Sequence, residues 1–310
     1  MNYLIFAFYD RDGIIDIHVL DSLKKFNKYF KIIFVSNVIL AKNEKKKIKF
    51  ANYILEKEHK EKDFGSWKLG IDFIQNKKVN NLVLVNDSVI GPLQNFSKIL
   101  STMKKKKCDF WGITSAGEGS GFHIQSYFLF FNKNVFYSQC FKRFFQKVTK
   151  LSSKSELVRL YEIGLTQMLI DKGFKCSSFL KNFKKDIHSN IKFLSFIEEG
   201  RLPFLKVKHF VSNPFRLKKV YKALNLIKNS KELIDYVKRV NRSNDLSHLY
   251  YYLPQFKYVI MSSKLILVRA KFVADYKFWR FYIKFLGVFI FFIIFPVKFN
   301  SNTYKSDNNY

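Results

Sequence analysis

The sequence predicts an α/β fold with a Rossmann-like, mostly parallel sheet flanked by helices. Three short apolar runs, at residues 2–9, 31–36 and 82–85, are continuous, which is typical of strands buried on both faces of a parallel sheet. Segments with helical periodicity alternate with these runs, as they do in βαβ units. The helical segments lie at about 17–29, 42–50 and 65–77.

The composition is that of a folded chain. Of the 310 residues, 48% are hydrophobic and 18% aromatic, which excludes disordered and collagen-like chains because there is ample apolar material for a core. The three cysteines, Cys108, Cys140 and Cys176, are widely spaced and form no CxxC pair. A structural zinc site or a disulfide framework is therefore not expected, and a reducing compartment is favoured.

The later elements follow in order along the chain. Residues 109–115 and 123–131 predict two further strands on either side of a Gly-rich loop, which lacks P-loop spacing and is interpreted as a connector or a flexible lid. Ser153 and Glu156 have the spacing of a capping box and predict the start of a helix. Residues 216–242 predict two short basic helices.

The end of the sequence predicts a helix that associates with a membrane surface. Residues 285–297 form an uncharged apolar run, which as a helix would be roughly 20 Å long and shorter than the ~30 Å hydrocarbon core. Before it, Lys277, Arg280 and Lys284 recur at i, i+3 and i+7 among aromatic residues, as in interfacial helices. A helix buried in the protein core is the alternative.

The charge balance is strongly basic. The formal net charge is +31, from 55 Lys and Arg against 24 Asp and Glu. Such a surplus fits an anionic partner: nucleic acid, a phosphorylated substrate or an anionic membrane face. The alternative is compositional, because Lys, Phe, Ile and Asn are abundant together throughout the chain. No zinc-finger spacing, RNP1 pattern or basic zipper is present, so nucleic acid is not an expected partner.

Polar residues follow the predicted strands, at the edge where ligands bind in parallel α/β sheets. Asp10 follows the first strand, Asn37 the second, and Asn86, Asp87 and Ser88 the third. A carboxylate in the place of Asp87 can hold a divalent cation against a diphosphate and stabilise a leaving group. The alternative is that this tripeptide only caps a turn.

Five further residues are candidates for a site. Asp63 can cap a helix N-terminus and Trp67 can stack on a base or a sugar; the alternative is a capped helix with a tryptophan in the core. Glu162, in the helix that the capping box opens, is a candidate general base or else a solvated residue. His123 and Gln125 share one strand face and can bind a sugar, or else satisfy a neighbouring loop.

Nine short segments, each present once, follow one another in a characteristic order over about residues 3–215. They are Tyr9-Asp10, Val35 to Asn37, Asp63 to Lys68, Leu84 to Pro92, Cys108 to Thr114, His123 to Phe128, Tyr161 to Thr166, Leu202 to Lys206, and Asn213-Pro214. Together they resemble the rhamnan synthesis protein F family of polysaccharide-building glycosyltransferases. One departure is at residues 59–62, His-Lys-Glu-Lys, where the family usually has an Asn-x-Gly-Tyr stretch.

The resemblance implies a fold type A glycosyltransferase that transfers a sugar, commonly L-rhamnose from a dTDP-linked nucleotide-sugar donor. The implied acceptor is a lipid-linked or surface glycan, of the lipopolysaccharide or capsule kind, at the cytoplasmic face of the membrane. Asn86, Asp87 and Ser88 take the place of the usual Asp-x-Asp motif, which makes Asp87 the expected ligand of a divalent cation, Mg²⁺ or Mn²⁺.

The chemistry of such a transfer fits what the candidate residues offer. Glu162 is the first candidate for the base that deprotonates the acceptor hydroxyl, Asp10 is the second, and Asp87 stabilises the departing diphosphate. His123 and Gln125 are expected to contact the sugar or the acceptor. The nucleotide-sugar donor is expected to contact Tyr9, Asp10, Asn37, Asp63, Trp67, Asn86 and Ser88.

The predicted organisation has three parts. Residues 1–215 are a nucleotide-sugar-dependent glycosyltransferase domain, residues 216–275 a basic and mostly helical extension, and residues 276–310 a segment that binds an anionic membrane peripherally or monotopically, with a polar tail. An anionic, lipid-linked acceptor would explain the basic extension and the apolar end. The alternative function is a non-catalytic basic membrane-surface protein that binds anionic glycans or lipids, which fits the single carboxylate of the acidic motif.

Overall fold

The computed structural model describes residues 1–117, 121–180, 196, 199, 201–214 and 220–250, together with the backbone of four strands between residues 258 and 296. The strands are β1 (Asn2–Phe8), β2 (Lys31–Ser36), β3 (Tyr53–Glu56), β4 (Asn81–Asn86), β5 (Val89–Ile90), β6 (Phe110–Gly112), β7 (Ser115–Ala116), β8 (His123–Ile124), β9 (Phe128–Asn132), β10 (Cys176–Ser178), β11 (Leu205–Lys206), β12 (Tyr258–Ser262), β13 (Ile266–Val273), β14 (Phe278–Phe285) and β15 (Val288–Pro296). The helices are α1 (Ile17–Phe26), α2 (Lys42–Lys47), α3 (Lys62–Ile74), α4 (Phe96–Lys105), α5 (Lys133–Tyr137), α6 (Gln139–Gln146), α7 (Lys154–Leu157), α8 (Gly164–Asp171), α9 (Lys208–Val211), α10 (Tyr221–Leu224) and α11 (Ser230–Asn241). A π-helical segment (Val158–Ile163) joins α7 to α8, and a 3-10 turn (Ser247–Tyr250) follows α11.

The main sheet has seven strands in the order β10-β6-β9-β4-β1-β2-β3. Strand β1 pairs in parallel with β2 and β4, β2 pairs in parallel with β3, and β6 with β10. Strand β9 differs, because it is antiparallel to both of its neighbours, β4 and β6. The predicted α/β fold with a mostly parallel central sheet is therefore confirmed.

Helices cover both faces of this sheet. On one face α3, α6 and α8 contribute Trp67, Phe145 and Leu165 to a buried hydrophobic cluster. On the other face α1 and α4 contribute Phe26 and Ile99 to a second cluster. Successive residues of β1, β2 and β4 alternate between the two clusters, which explains why these strands are continuously apolar in the sequence.

The register of β1, β2 and β4 places their carboxyl ends side by side. Phe8 of β1 pairs with Ser36 of β2, and Ala7 pairs with Asn86 of β4. The polar residues that follow these three strands consequently lie next to one another. This edge of the sheet is where parallel α/β folds bind ligands.

A third hydrophobic cluster joins residues 202–249 to the rest of the described chain. Ile90 packs in this cluster with Leu202, Leu233 and Val237, and β11 pairs antiparallel with β5. The two predicted basic helices are confirmed as α10 and α11. The predicted domain boundary at residue 215 stays a prediction, although the cluster draws on residues from both sides of it.

The last described part of the chain is a sheet, where the sequence analysis predicted a helix. Strands β12 to β15 form an antiparallel sheet in chain order, in which Arg280 pairs with Ile294. The predicted helix over residues 276–298 is wrong, because aromatic and β-branched residues dominate this stretch and favour strands. The i, i+3, i+7 spacing has no common face on a strand. Lys277 lies outside the described residues, whereas Lys284 lies in β14 with Arg280.

The extension at 216–275 was predicted to be mostly helical, and it is only partly so. Helices α10 and α11 lie in its first half, whereas β12 and β13 lie in its second half. A search of the described helices finds none with the length and apolar character that crossing a bilayer requires.

Two predicted strands are broken into shorter ones. The first contains β6 and the two-residue β7, and the second contains the two-residue β8 and then β9. Gly112, at the end of β6, permits a close approach here: a Cβ atom would lie 2.7 Å from the carbonyl oxygen of Phe128 and would overlap the side chain of Ile124. Residues 118–120 of the Gly-rich loop lie outside the described residues.

The predicted capping box is half formed. The Ser153 hydroxyl accepts a hydrogen bond from the backbone N–H of Glu156 at 3.2 Å, as an N-cap does. The carboxylate of Glu156 turns instead to Ser152, accepting from its N–H at 3.0 Å and from its hydroxyl at 2.6 Å. The helix start is therefore confirmed, with a different partner for the acidic residue.

The close approach at Gly112 gives a stability prediction. We expect Gly112→Ala to lower the free energy of unfolding by about 1–3 kcal/mol, because the added methyl must push apart the backbone of β9 and the side chain of Ile124. Urea denaturation measures this change. Gly121→Ala is the control, since no atom lies within 4 Å of a Cβ built there. Equal urea midpoints for the two variants would contradict the packing argument.

Candidate functional site

A group of polar side chains lies at the carboxyl ends of β1, β2 and β4. Asp87 directly follows β4, and its carboxylate accepts a hydrogen bond from the backbone N–H of Tyr9 at 2.7 Å. The N–H of Asp87 donates to the carbonyl oxygen of Ala7 at 3.2 Å. Asn37 continues the same arrangement beyond β2 by donating its N–H to the carbonyl oxygen of Phe8 at 2.9 Å. The structure thus brings together three of the predicted segments.

Asp87 holds its proton unusually well. Its pKa lies well above the ordinary value, first because the surrounding protein desolvates it and then because the carboxylates of Asp63 and Asp10 add negative charge. The hydrogen bond from the Tyr9 N–H opposes this rise. A half-buried carboxyl of this kind can donate a proton to a phosphate oxygen, or can ionise when a cation binds.

Asp63 and Asn86 lie behind Asp87. The Asn86 side-chain amide donates to the Asp63 carboxylate at 2.7 Å, while its oxygen accepts from the N–H of Ser88 at 3.3 Å and from the Ser88 hydroxyl. Burial raises the pKa of Asp63 to about 6, and the negative charge of Glu162 adds to the rise. Asp63 does not cap α3 as predicted: Glu61 is the N-cap residue and has no capping side-chain bond.

Trp67 is placed in the core and not in the site. Its side chain is fully buried, its indole N–H donates to the carbonyl oxygen of Val85 at 3.1 Å, and its ring lies 4.9 Å from that of Phe64. The expectation that Trp67 stacks on a base or a sugar is not met in this arrangement, because stacking requires an exposed ring face. Tyr9, by contrast, is 46% exposed beside Asp87.

Asn37 holds the loop that precedes α3. Its side-chain oxygen accepts from the N–H of His59 at 2.7 Å, and the His59 ring bonds to the Ser66 hydroxyl at 2.9 Å. Gly65 makes room for this ring, since a Cβ there would lie 2.5 Å from Nδ1 of His59. Burial lowers the pKa of His59. The stretch that departs from the family pattern is therefore fixed to the sheet edge by residues of this chain.

Glu162 lies in the π-helical segment, close enough to Asp63 to raise the pKa of that carboxyl. Its side chain lines a small cavity with Ser126 and Thr166, whose other walls are mostly apolar. Single π-helical turns often occur at functional sites. The role of Glu162 as the general base stays a prediction.

Asp10 is poorly placed as a general base. Oδ1 accepts from the N–H groups of Asp12 and Ile14, both at 3.0 Å, and from Nη1 of Arg239 at 3.2 Å; Oδ2 accepts from Nη2 of Arg239 at 2.8 Å. With both oxygens engaged, Asp10 organises the turn after β1 and is ion-paired with Arg239. This arrangement argues against the second candidate for the base.

His123 and Gln125 do not share one open strand face. The His123 ring bonds to the carbonyl oxygen of Gly121 at 2.9 Å and remains partly exposed. Gln125 is only 6% exposed, and its side-chain oxygen accepts from the Thr114 hydroxyl at 2.6 Å. Gln125 lies between β8 and β9, and its burial and its bond to Thr114 argue against the expected contact with a sugar.

The sequence analysis missed two residues at this edge, Arg239 and His18. Arg239, on α11, donates to Asp10, Asp12 and Asp16. His18, on α1, is 5% exposed, and burial lowers its pKa to about 4. No local pattern could have identified Arg239, because it is 229 residues from Asp10 in a helix rich in other cations.

The side chains at this edge could hold a cation only together with a bound substrate that supplies further oxygen ligands. Among the described side chains, no three His, Cys, Asp or Glu residues are grouped as a protein-only metal site would need. Asp87 nevertheless offers a half-buried carboxyl at this edge. Magnesium is often held by one or two carboxylates together with substrate phosphates. The residues present therefore fit a single-carboxylate anchor at Asp87.

Comparison with known proteins gives one family and one curated relative. The family model described as rhamnan synthesis protein F matches residues 32–293. The uncharacterized protein y4gN of Sinorhizobium fredii (strain NBRC 101917 / NGR234) is 24% identical over 200 residues, which is 61% of this chain. The chain spans about half, 52%, of the length of that relative.

Several solved structures are weakly similar. A protein from Desulfovibrio desulfuricans G20 described as a nucleotide-diphospho-sugar transferase is 13% identical, with a TM-score of 0.35 over 76% of this chain and 97% of its own. Core-mannan synthase A from Aspergillus fumigatus, in an Mn/GDP form, is 8% identical with a TM-score of 0.35, over 55% of this chain and 69% of its own. The mannosyltransferase Ktr4p from S. cerevisiae is 8% identical with a TM-score of 0.34, over 54% and 65%. TM-scores this low carry no argument about fold or function.

The raised pKa of Asp63 predicts a pH-dependent stability. A carboxyl whose pKa is raised in the folded state binds its proton more tightly there, so its contribution to stability falls as the pH rises from its ordinary 3.8 through about 6. We expect Asp63→Asn, which can keep the Asn86 bond, to match the wild type near pH 4 and to be more stable by about 2 kcal/mol at pH 8, allowing for partial exposure.

Urea denaturation at both pH values measures the difference between variant and wild type. Asp171→Asn is the control, because Asp171 is exposed at the end of α8. A difference between Asp63→Asn and the wild type that is the same at pH 4 and pH 8 would contradict the raised pKa of Asp63 in the folded protein.

Proposed function

The chain belongs to the rhamnan synthesis protein F family, a family of glycosyltransferases, and from this membership we propose that it moves a sugar from a nucleotide-diphosphate donor onto a glycan acceptor. The family predicted from the nine sequence segments is confirmed, since its model matches residues 32–293. The family's usual donor, dTDP-linked L-rhamnose, and a fold type A arrangement belong to the proposal.

The observation that carries the proposal is the group formed by Asp63, Asn86 and Asp87 at the carboxyl edge of the sheet. Asp87 is anchored to the backbone just beyond β1 and is half-buried, so part of the residue stays open to a diphosphate. Tyr9, whose backbone N–H bonds to Asp87, is 46% exposed, and its aromatic ring suits stacking on a base. The donor would lie across the ends of β1 and β4.

Transfer breaks the bond between the anomeric carbon and the phosphate oxygen of the donor. The acceptor hydroxyl oxygen forms a bond to that carbon, and its proton passes to a base, while the bonding electrons leave with the diphosphate. We propose Glu162 as the base, because it lies in a π-helical segment near Asp63. Asp87 faces the departing diphosphate.

The charge that develops on the diphosphate needs compensation. A proton on Asp87 supplies part of it, since the raised pKa of this carboxyl favours the neutral form. A divalent cation, Mg²⁺ or Mn²⁺, would supply it by neutralising the diphosphate, with Asp87 as its protein ligand. Either way the Tyr9 N–H holds the Asp87 carboxyl in place.

The acceptor and the place of action are further parts of the proposal. The net charge of +31 favours an anionic, lipid-linked glycan at the cytoplasmic face of a membrane. Such an acceptor is used in the synthesis of lipopolysaccharide or capsule. The protein would bind the membrane surface peripherally. Strands β14 and β15 contain the apolar and basic residues on which this part of the proposal rests.

The second candidate function is a basic protein that binds anionic glycans or lipids at a membrane without catalysis. The observation that favours it is the single carboxylate in the segment from Asn86 to Ser88. The two functions are separated by measuring hydrolysis and transfer with a panel of nucleotide sugars, because a binding protein turns over none of them.

The first functional prediction concerns Asp87. We expect Asp87→Asn to reduce transfer by at least about a hundredfold, because an amide neither donates an acidic proton nor binds a cation as a carboxylate does. The assay is release of nucleoside diphosphate from the active member of the donor panel. Asp171→Asn is the control variant and should keep wild-type turnover. Wild-type turnover in Asp87→Asn itself would remove Asp87 from the mechanism.

The second functional prediction concerns the membrane. We expect the double variant Arg280→Gln, Lys284→Gln to bind phosphatidylglycerol vesicles about thirtyfold more weakly at low salt, because each cation near an anionic surface contributes about 1 kcal/mol. Vesicle flotation measures the binding. The matched control is Lys104→Gln, Lys105→Gln in the last turn of α4. Equal flotation of both double variants would place the membrane contact elsewhere or nowhere.

A further inference from the structure

Arg239 joins the C-terminal part of the described chain to the edge of the sheet that carries the candidate site. It lies in the last turn of α11 and is 23% exposed. Its Nη1 donates to Asp10 at 3.2 Å and to Asp12 at 2.9 Å, and its Nη2 donates to Asp10 at 2.8 Å and to Asp16. One guanidinium thus bonds to three carboxylates of the segment between β1 and α1.

These carboxylates depend on a cation. Burial raises the pKa of Asp16 to about 6, and Asp10 raises it further, although Arg239 acts in the opposite direction. Asp10 is 11% exposed and Asp16 is 16% exposed, so water screens their mutual repulsion poorly. Removing the guanidinium would leave Asp10 and Asp16 close together with little solvent, beside the more exposed Asp12. The segment would then lose the charge balance that holds it in place.

The contact is built into the packing of α11. Leu233 and Val237 are buried in the third hydrophobic cluster, which fixes the rotation of the helix. On the side facing α1, the Tyr236 ring lies 4.6 Å from the ring of the buried His18. Arg239, three residues after Tyr236, then lies one turn further along the same side. The position of the guanidinium is therefore set by the helix and not by a flexible side chain alone.

The segment that Arg239 holds is joined directly to the candidate site. Oδ1 of Asp10 accepts from the N–H groups of Asp12 and Ile14, and the N–H of Gly13 donates to the Asp10 carbonyl oxygen at 3.1 Å. The residue before Asp10 is Tyr9, whose N–H donates to Asp87. A change in the orientation of Asp10 therefore reaches Asp87 through one residue of backbone.

From this geometry we infer that Arg239 is a positioning residue, which holds the segment from Asp10 to Asp16 in the conformation that receives the nucleoside diphosphate part of the donor. The inference deepens the proposed function and rests on it for the identity of the ligand. It makes α11 a part of the donor site, although no residue of α11 was a candidate in the sequence. Lysine cannot replace Arg239, because a single ammonium group cannot bridge three carboxylates in this fork geometry.

The first test follows amide hydrogen exchange in the full chain. We expect the N–H groups of Asp12 and Ile14 to exchange about tenfold faster in Arg239→Gln, because Asp10 no longer holds them with a fixed carboxylate. Arg239→Lys should show a smaller increase. The matched control is Arg242→Gln, which removes the same charge from the exposed end of α11. Equal exchange in Arg239→Gln and Arg242→Gln would overturn the inference.

The second test separates charge balance from simple packing. Adding Asp12→Asn and Asp16→Asn to Arg239→Gln removes two of the three repelling carboxylates and should restore slow exchange. A role limited to packing α11 on α1 predicts no such rescue, and absence of rescue would overturn the inference. If Arg239→Gln loses its helical circular dichroism, the same comparison is made with Arg239→Lys. Amide exchange in Arg239→Lys at the wild-type rate would then overturn the inference as well.

The third test measures binding of UDP, GDP and dTDP by calorimetry. We expect about tenfold weaker binding of the best of these probes to Arg239→Gln, and unchanged binding to Arg242→Gln. If wild-type protein binds none of the three, the proposed function fails while the exchange data still decide the role of Arg239. If Arg239→Gln binds as tightly as the wild type, Arg239 does not position the donor site and the inference is wrong.

Discussion

The parallel register of β4, β1 and β2 is the constraint on which the site depends. Side chains alternate between the two faces of the sheet, so a slip of one residue would exchange the partners of both hydrophobic clusters. The same register continues beyond the strands, where the N–H groups of Asn37 and Asp87 donate to the carbonyl oxygens of Phe8 and Ala7. The core therefore fixes the site: the apolar residues cannot pack correctly without also bringing Asp87 beside Tyr9.

The site carries negative charge in a chain with a large positive surplus. The surplus of 31 positive charges does not bring the pKa of Asp63 or Asp87 down to its ordinary value, because local desolvation raises both and outweighs the opposing charges of Lys62 and Lys154 at Asp63. Distant surface cations act through water and salt, which screen them within about 10 Å. The hydrogen bonds from Asn86 and from the Tyr9 N–H are the close contacts that oppose this rise. Local structure, and not net charge, therefore decides the protonation of these carboxyls.

The sheet and its functional edge could be predicted from the sequence because strands buried on both faces must be continuously apolar and polar residues then mark where they end. Asp10, Asn37, Asn86 and Asp87 were found in this way. Trp67 could not be placed, because a tryptophan at a helix start satisfies its N–H equally well from a core carbonyl or a ligand.

Two other failures have different causes. The spacing of three cations predicted a helix where the structure has β14. A short run of aromatic and β-branched residues can match both the helical and the strand periodicity, so the spacing alone could not decide between them. Arg239 could not be predicted, because its partners are set by the tertiary packing of α11 on α1. The residues next to it in the sequence do not indicate that contact.

The antiparallel strand β9 has a consequence for how the chain is synthesised. In the sheet β9 lies between β4 and β6, yet β6 leaves the ribosome first. Strand β6 has no pairing with β4, so it cannot join the growing sheet until residues 128–132 have emerged. Until then β4 is an edge strand with four apolar residues, Leu82 to Val85, and unpaired backbone groups, the kind of surface that chaperones protect and that promotes aggregation. Translation speed between residues 86 and 132 therefore sets how long the nascent protein is exposed to misassembly.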